Sequence, residues 1–183
     1  MNRRLAWGVG VGLLLAAWGV VQVTPTDDDA NGPFVVSAEI GESAVARTFE
    51  VTVTDVHLAS RVADARGWSA EGTWLVVDLQ AEAVRTEKST NLGNAVLVVD
   101  GVTYRASERP ASFVDTSLET GIPQRGSLAF ELPTAARERS AALQLSGSEA
   151  ETRLDSLVEL RIDLADLEPQ DEVEMEPTGW AAP

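Results

Sequence analysis

His57 is the only histidine of the 183-residue chain, and any search for catalytic chemistry starts there. A Ser-His-Asp site needs this imidazole beside a serine hydroxyl and a carboxylate. The sequence Thr54-Asp55-Val56-His57 places it near the end of a predicted strand, and no G-x-S-x-G motif supplies an activated serine. A lone strand histidine favours a structural or exposed role, so we predict no catalytic residues and no enzyme activity.

Acidic side chains are abundant, with 29 acids against 14 bases, so pairs arise by chance and do not indicate glycoside hydrolysis. Asp27, Asp28 and Asp29 offer clustered oxygen ligands, and Asp163 with Asp166 could join a shared site. Calcium loops, however, alternate their ligands around a turn glycine. Phosphate-binding glycine motifs are absent, and so are cysteines for thiolate metal sites or disulfides. We predict no cofactor and no specific metal site.

Tryptophans are the best candidates for a binding surface. Trp68 and Trp74 frame a short loop, and an exposed pair would make a platform for a sugar or a peptide. The alternative, which we favour, is that Trp74 fills the core and Trp68 caps the loop. Trp180 stands in an acidic tail, either as a docking residue or as an exposed aromatic without a role.

The net charge excludes one class of partner. The formal charge is −15, and Arg3 and Arg4, two of the few bases, precede an apolar segment. Such an acidic surface repels phosphate backbones, so we predict no nucleic-acid partner. Lysine occurs once, at Lys88, while arginine and alanine are common, a bias typical of GC-rich genomes such as those of actinobacteria.

Residues 5–23 carry no charged side chain and would span ~28 Å as a helix, close to the thickness of a bilayer core. Basic residues before the segment and Asp27–Asp29 after it favour a cytoplasmic N-terminus with the rest outside. We predict a cytoplasmic stub (1–4), a transmembrane signal-anchor (5–23) and a linker (24–33). The side chains expected to meet the membrane are Leu5, Trp7, Leu13, Leu14, Leu15, Trp18 and Val23.

A cleaved signal peptide is the other reading of this segment, and it would leave the protein secreted. Signal peptides have shorter apolar regions that end in small residues, whereas this one ends Gly19-Val20-Val21-Gln22-Val23. An uncleaved anchor is therefore favoured. A G-x-x-x-G motif at Gly8 and Gly12 would also allow a weak homodimer of helices.

Beyond the linker, apolar residues alternate with polar ones at the period of two that is typical of β-strands. An Asp100-Gly101 pair between two such runs predicts a hairpin. The spacing predicts an all-β antiparallel sandwich over residues 34–165, followed by an acidic, disordered tail over 166–183. The predicted strands lie around residues 49–54, 74–82, 96–99, 102–104, 128–132, 143–145 and 160–164.

The order of these blocks resembles the DUF4352 type of bacterial extracellular domain, related to the MPT63 fold of a mycobacterial secreted antigen. The resemblance covers residues 39–165 and implies an immunoglobulin-like sandwich behind a signal peptide or a single anchor. It implies no catalytic residues. The matching stretches are IGES (40–43), FEVTVTDV (49–56), GTWLVVDL (72–79), VDGVTY (99–104), GIP (121–123), GSLAFELP (126–133) and VELRIDL (158–164).

Two functions follow as hypotheses. The first is a non-enzymatic interaction module on the outer face of the bacterial cytoplasmic membrane, which binds another envelope protein through loops or sheet edges. The second is an extracytoplasmic domain that binds a small ligand, a glycan or a cation. It predicts a pocket lined by the tryptophans or by converging acids.

Overall fold

The computed structural model of the chain describes residues 3–23, 32–85, 90–114, 116–147 and 156–181. They belong to two units, Met1–Gly32 and Pro33–Pro183. Of the predicted linker (24–33), only Gly32 and Pro33 lie within the described residues. Asp27–Asp29 fall outside them.

The first unit contains helix α1 (Arg3–Val23), which agrees with the helix predicted for residues 5–23. Its described apolar side chains are exposed, among them Trp7, Leu14 and Trp18. No helix within the described part of the chain is both long enough and apolar enough to cross a membrane. The side chains of Leu5 and Val23 lie outside what the structure describes.

The second unit is built from fourteen described strands. They are β1 (Phe34–Ala38), β2 (Ser43–Val45), β3 (Phe49–Ala63), β4 (Ser69–Ala83), β5 (Thr90–Asn91), β6 (Asn94–Val99), β7 (Val102–Arg105), β8 (Ser117–Leu118), β9 (Gln124–Leu132), β10 (Ser140–Ser146), β11 (Ser156–Asp163), β12 (Pro169–Gln170), β13 (Val173–Glu174) and β14 (Gly179–Trp180). Two 3-10 turns, Thr134–Glu138 and Leu164–Asp166, follow β9 and β11.

These strands form two main sheets. The five-stranded sheet has the order β1-β11-β10-β6-β7. The seven-stranded sheet has the order β12-β3-β4-β9-β14, with β2 and β13 also paired to β3. One buried apolar cluster contains Leu97 and Leu143 from the first sheet and Leu75 and Phe130 from the second. A core shared by two sheets makes this unit a β-sandwich, as the sequence predicts.

Several local predictions are confirmed. Asp100 and Gly101 take φ values of 49° and 79° and close the hairpin between β6 and β7. Both values lie in the left-handed region that a two-residue Asp-Gly turn requires. The strand predicted around residues 74–82 is β4 (Ser69–Ala83), which lies between β3 and β9.

The sandwich is mixed rather than purely antiparallel, which corrects the prediction. Strand β1 pairs in parallel with β11, and β12 and β13 pair in parallel with β3. Parallel neighbours need a long connection, and these strands stand at the two ends of the unit, far along the chain from their partners. Alternation along one strand carries no information about the direction of its neighbour.

Strand β3 is fifteen residues long and extends well beyond the six predicted for it. Its pairing with β4 shifts register between Val53 and Asp55, because β3 advances by two residues there while β4 advances by one. This irregularity is a β-bulge. Phe49, Val51 and Val53 point into the core before this bulge, and Val56 does so after it. An extra residue switches the inward face from odd to even numbers, so the period-two pattern breaks.

The tail is ordered over its described residues, which corrects the predicted disorder of 166–183. Strands β12 and β13 pair with β3, and β14 pairs with β9 on the far side of the sheet. We call residues 167–181 the strap. Val173 and Met175 are buried in it, so strand pairing and two apolar side chains order a segment whose composition is otherwise typical of disorder.

Candidate functional site

The outer face of the seven-stranded sheet, turned away from the shared core, carries a second buried apolar cluster. Its members come from β3, β4, β9 and the strap, and Trp68 and Ala70 pack against it. A sandwich needs only one buried face per sheet, so this cluster is apolar surface beyond what closing the fold requires. The cluster comprises Ala59, Val62, Trp74, Val76, Ala129, Val173 and Met175.

Trp68 and Trp74 form an edge-to-face pair at one end of this cluster. Their ring centroids lie 5.9 Å apart with an interplanar angle of 88°. The guanidinium of Arg109 lies 5.8 Å from the Trp68 ring centre and 5.4 Å from that of Trp74. Arg109 also forms an ion pair with Glu131 of β9. Cation–π attraction and the ion pair together hold Arg109 across the two rings.

This arrangement decides between the two readings of the tryptophans. Trp74 is fully buried, so it is no exposed platform in this structure. It lies in the cluster on the outer face, however, and not in the core between the sheets where we expected it. Trp68 is half-buried and belongs to the turn between β3 and β4. Trp180 is 62% exposed in β14 and is the most accessible of the three.

Gly72 allows the Trp74 indole to lie against the backbone of its own strand. A Cβ at this position would stand 2.9 Å from Nε1 of Trp74, closer than a carbon atom can approach. Within the described part of the chain, this buried Nε1 has no hydrogen-bond partner. An unpaired buried donor is costly, so the ring is held by packing rather than by polar contacts.

Asp64 organises the turn next to the tryptophans. Its Oδ1 accepts hydrogen bonds from the backbone N–H groups of Arg66 and Trp68, each at 2.9 Å. Its Oδ2 accepts one at 2.7 Å from Ala111, which joins the turn to a loop 47 residues away. The hydrogen bond from Ala111 is the largest cause of a lowered pKa of Asp64, which burial partly opposes.

A polar chain crosses the sheet from β3 to β9. His57 Nε2 lies 3.0 Å from Oδ2 of Asp78, and Ser127 donates its hydroxyl hydrogen to Oδ1 of the same carboxylate. The carboxylate therefore stands between the imidazole and the hydroxyl. A nucleophilic serine needs the imidazole in the middle, so this order does not activate Ser127.

The same polar chain holds the strap. The backbone N–H of Glu176 donates to Ser127 Oγ at 2.7 Å. On the other side, Nε2 of Gln170 lies 3.2 Å from Nδ1 of His57. With Nε2 of the imidazole donating to Asp78, Nδ1 is free to accept this hydrogen bond. His57 thus joins β3, β4 and the strap.

A groove of about 640 Å³ opens beside the strap. It is lined by Met175, Pro177 and Thr178 of the strap, by Ala65 and Arg66 of the β3–β4 turn, and by a loop that contributes Glu108, Pro110, Ala111, Ser112, Val114 and Thr116. Its lining mixes charged residues, Arg66 and Glu108, with apolar ones. None of the three candidate tryptophans lines it.

Asp163 and Asp166 are the remaining acids that the sequence analysis considered for a cation site. Asp163 accepts a hydrogen bond from the N–H of Ala165 and caps the 3-10 turn that contains Asp166. No group of three or more acidic or histidine side chains that could hold a metal ion occurs among the described residues.

Around Gly8 and Gly12, an added Cβ would meet nothing within 4 Å.

Sequence reasoning missed Arg109, Asp64 and the two buried strap residues. Asp64 stands three residues before Gly67, a turn signal that could have located the long hairpin. Val173 and Met175 alternate with glutamates, a period-two pattern in an otherwise acidic segment. Nothing in the sequence near Arg109 indicates two tryptophans as its partners.

Comparisons with known proteins establish no family. No family model matches the chain, and no curated protein does. An uncharacterized β-sandwich protein from Clostridium difficile 630 is similar in structure, with 11% identity over 74% of this chain and 99% of that one, and a TM-score of 0.48. The yjhA protein from Bacillus subtilis shares 17% identity over 67% of this chain and 98% of its own, with a TM-score of 0.47. The β-sandwich is therefore assigned from the strand order and shared core of this chain.

Proposed function

We propose that this protein is a membrane-anchored interaction module of the bacterial cell envelope, whose sandwich lies outside the cytoplasm and binds another envelope protein without catalysis. The second apolar cluster, on the outer face of the seven-stranded sheet, carries the proposal. The strap contributes Val173 and Met175 to this buried cluster, and the cluster becomes an apolar surface for another chain where the strap opens. We further propose that the sandwich is of the immunoglobulin-like DUF4352 type, on the residues that resemble that family.

The anchor is supported by the sequence of the first unit and by the surface of α1. Arg3 and Arg4 precede the uncharged segment and three aspartates follow it, the asymmetry that keeps an N-terminus in the cytoplasm. Trp7 and Trp18 lie near the two ends of the segment, where indole rings favour the membrane interface. The described apolar side chains of the helix are exposed and so available to lipid, or to a second helix at Gly8 and Gly12.

Site-specific photo-crosslinking in intact cells tests the binding function. A photoreactive residue replaces Arg66, at the turn beside the outer face, and in a matched control replaces Val102, exposed on the five-stranded sheet. We expect the probe at position 66 to capture one or two membrane proteins that the probe at 102 does not. Chains that begin at residue 33 should lose this capture, since they lack the anchor. Equal capture from both positions, or none from either, would contradict the proposal.

The groove beside the strap favours a second candidate function, the binding of a small ligand. Its volume of about 640 Å³ falls within the range of small-molecule sites, and Arg66 and Glu108 offer opposite charges at its rim. Calorimetric titration of the purified chain with oligosaccharides, short peptides and Ca²⁺ tests it. Saturable binding that Glu108→Gln weakens at least tenfold would favour this function over the first.

A further inference from the structure

We infer that the strap occupies, within its own chain, the docking surface for a partner, and that this partner is an extended segment of acid–apolar–x–apolar–acid pattern. The inference rests on the proposed function, because it names the surface and the kind of segment through which an envelope protein would bind. In the structure the pattern is represented by Glu172-Val173-Glu174-Met175-Glu176.

The backbone of the strap binds as an added strand would. Strand β13 pairs with Val62 and Ala63 of β3, and the N–H of Met175 donates to the carbonyl of Ala63 at 2.9 Å. At the other edge of the sheet β14 pairs with Arg125 and Gln124 of β9. Main-chain pairing at a sheet edge accepts any extended segment, so it supplies affinity without fixing the sequence.

The side chains supply the selectivity. Val173 and Met175 stand two positions apart, so both reach the same face, and both are buried against the outer cluster. Glu174 between them is exposed. The surface therefore selects two apolar residues at alternate positions and accepts any residue between them.

Two ion pairs account for the acidic residues at the two ends of the pattern. Arg61 Nε lies 3.5 Å from a carboxylate oxygen of Glu172, and Arg125 Nε lies 3.0 Å from one of Glu176. The two arginines thus stand beside the two ends of the apolar pair. A segment with an acid before and after that pair meets a base at each end.

A competing segment can replace the strap because only short strands pair the strap with the sheet. Each of its three strands is two residues long, and most of its other residues are exposed. Segments with few buried contacts open at low cost compared with the core of a domain. Residues 33–183 carry 26 acids and 12 bases, so two copies repel each other, which favours another protein over a second copy as the occupant.

The test uses purified full-length protein and a fluorescent peptide with the sequence of residues 168–180. In the receptor, Val173→Ser with Met175→Ser weakens the strap, and fluorescence anisotropy should show peptide binding at least tenfold tighter than to the wild-type chain. A control peptide with the same two serines should bind at least tenfold more weakly. Arg61→Glu with Arg125→Glu, added to the serine receptor, should remove binding of the original peptide. A peptide with Glu172→Lys and Glu176→Lys should bind this charge-reversed receptor.

A second receptor keeps the test decisive if the serine variant unfolds. The chain has no cysteines, so Ala63→Cys with Glu174→Cys, neighbours in the β3–β13 register, can be locked by oxidation and released by reduction. Thermal melting confirms the fold in both states. We expect the peptide to bind at least tenfold tighter to the reduced form.

Three results would overturn the inference: equal binding to the locked and released forms, no binding to either receptor, or a dimer of the reduced cysteine variant that oxidation prevents. The last would assign the surface to a second copy. Peptide binding needs no cellular partner, and the probe at position 66 reports a partner at any surface near that turn, whether or not the strap is displaced. Failure of this inference is therefore distinguishable from failure of the proposed function.

Discussion

The ring of Trp74 meets that of Trp68 edge to face at 5.9 Å, and the guanidinium of Arg109 lies within 6 Å of both ring centres. Two tryptophans six residues apart and an arginine 35 residues further along the chain thus close one end of the outer cluster. Trp74 packs within the apolar cluster and Trp68 is half-buried, and the guanidinium of Arg109 adds a cation–π contact to both rings.

Arg109→Ala should lower the free energy of unfolding by roughly 1 kcal/mol, because it removes an exposed ion pair and a cation–π contact. Urea denaturation measures this change. Acrylamide should also quench tryptophan fluorescence more strongly in the variant, as Trp74 becomes accessible. Glu131→Gln is the matched control, since it removes the ion pair and leaves the guanidinium in place. Equal quenching in the two variants would refute the contact with the rings.

Gly72→Ala should destabilise the protein by about 1–3 kcal/mol, the usual cost of forcing an added carbon into a packed site. Its Cβ would lie 2.9 Å from the Trp74 indole nitrogen, so the ring or the strand must shift. Gly179→Ala is a matched control in β14, where the nearest atom to the added carbon lies at 3.9 Å. Urea denaturation of both variants checks the difference, and equal stability would rule out the close approach.

Asp64→Asn should make the protein less stable at pH 7, because an amide nitrogen cannot accept the hydrogen bond from Ala111. The pKa of Asp64 is lowered in the folded state, so its stabilisation is present above the unfolded value of about 3.9 and is lost as the pH falls through the lower folded value. The stability difference between wild type and variant should therefore shrink below about pH 4.

Thermal melting between pH 2.5 and 7 follows this difference. Asp166→Asn serves as the control, since it removes an exposed carboxylate from the 3-10 turn after β11. A difference between wild type and Asp64→Asn that is constant over this range would show that ionisation of Asp64 does not contribute.

Deletion of Thr54 should leave the protein folded and within about 1 kcal/mol of wild type. Thr54 is the exposed extra residue of the bulge, and its removal restores simple alternation between Val53 and Val56. Deletion of Thr52 is the contrasting variant. Closing the bulge in that variant would turn Val53 outward and bring the hydroxyl of Thr54 into the core, so we expect a larger loss of about 2–4 kcal/mol. Circular dichroism and urea denaturation compare the two, and similar losses would refute the bulge.

Much of the sandwich follows from local patterns. The hairpin at Asp100 and Gly101, the end of β9 at Pro133 and the central position of β4 each depend on residues adjacent in sequence. Alternation and turn chemistry act over a few residues, so a single sequence contains the information needed to predict them.

What escaped prediction depends on contacts between distant residues. The second half of β3 was not predicted, because the one-residue bulge interrupts the alternation of apolar and polar residues as the end of a strand would. The burial of Trp74 depends on Arg109 and on the strap, which lie about 35 and 100 residues further along the chain. Composition alone indicated disorder for the strap, since two apolar residues among many acids become decisive only when a sheet offers them a matching face.

The strap also imposes an order on folding. Ribosomes make strands β3, β4 and β9 before residues 169–180, so both edges of the sheet and its outer face stay open while the chain is still growing. Unpaired edges and exposed apolar surface are where nascent chains associate wrongly. Until the strap is synthesised, that surface must be protected from contact with other chains. A translation pause or a truncation before residue 173 would leave the molecule prone to aggregation.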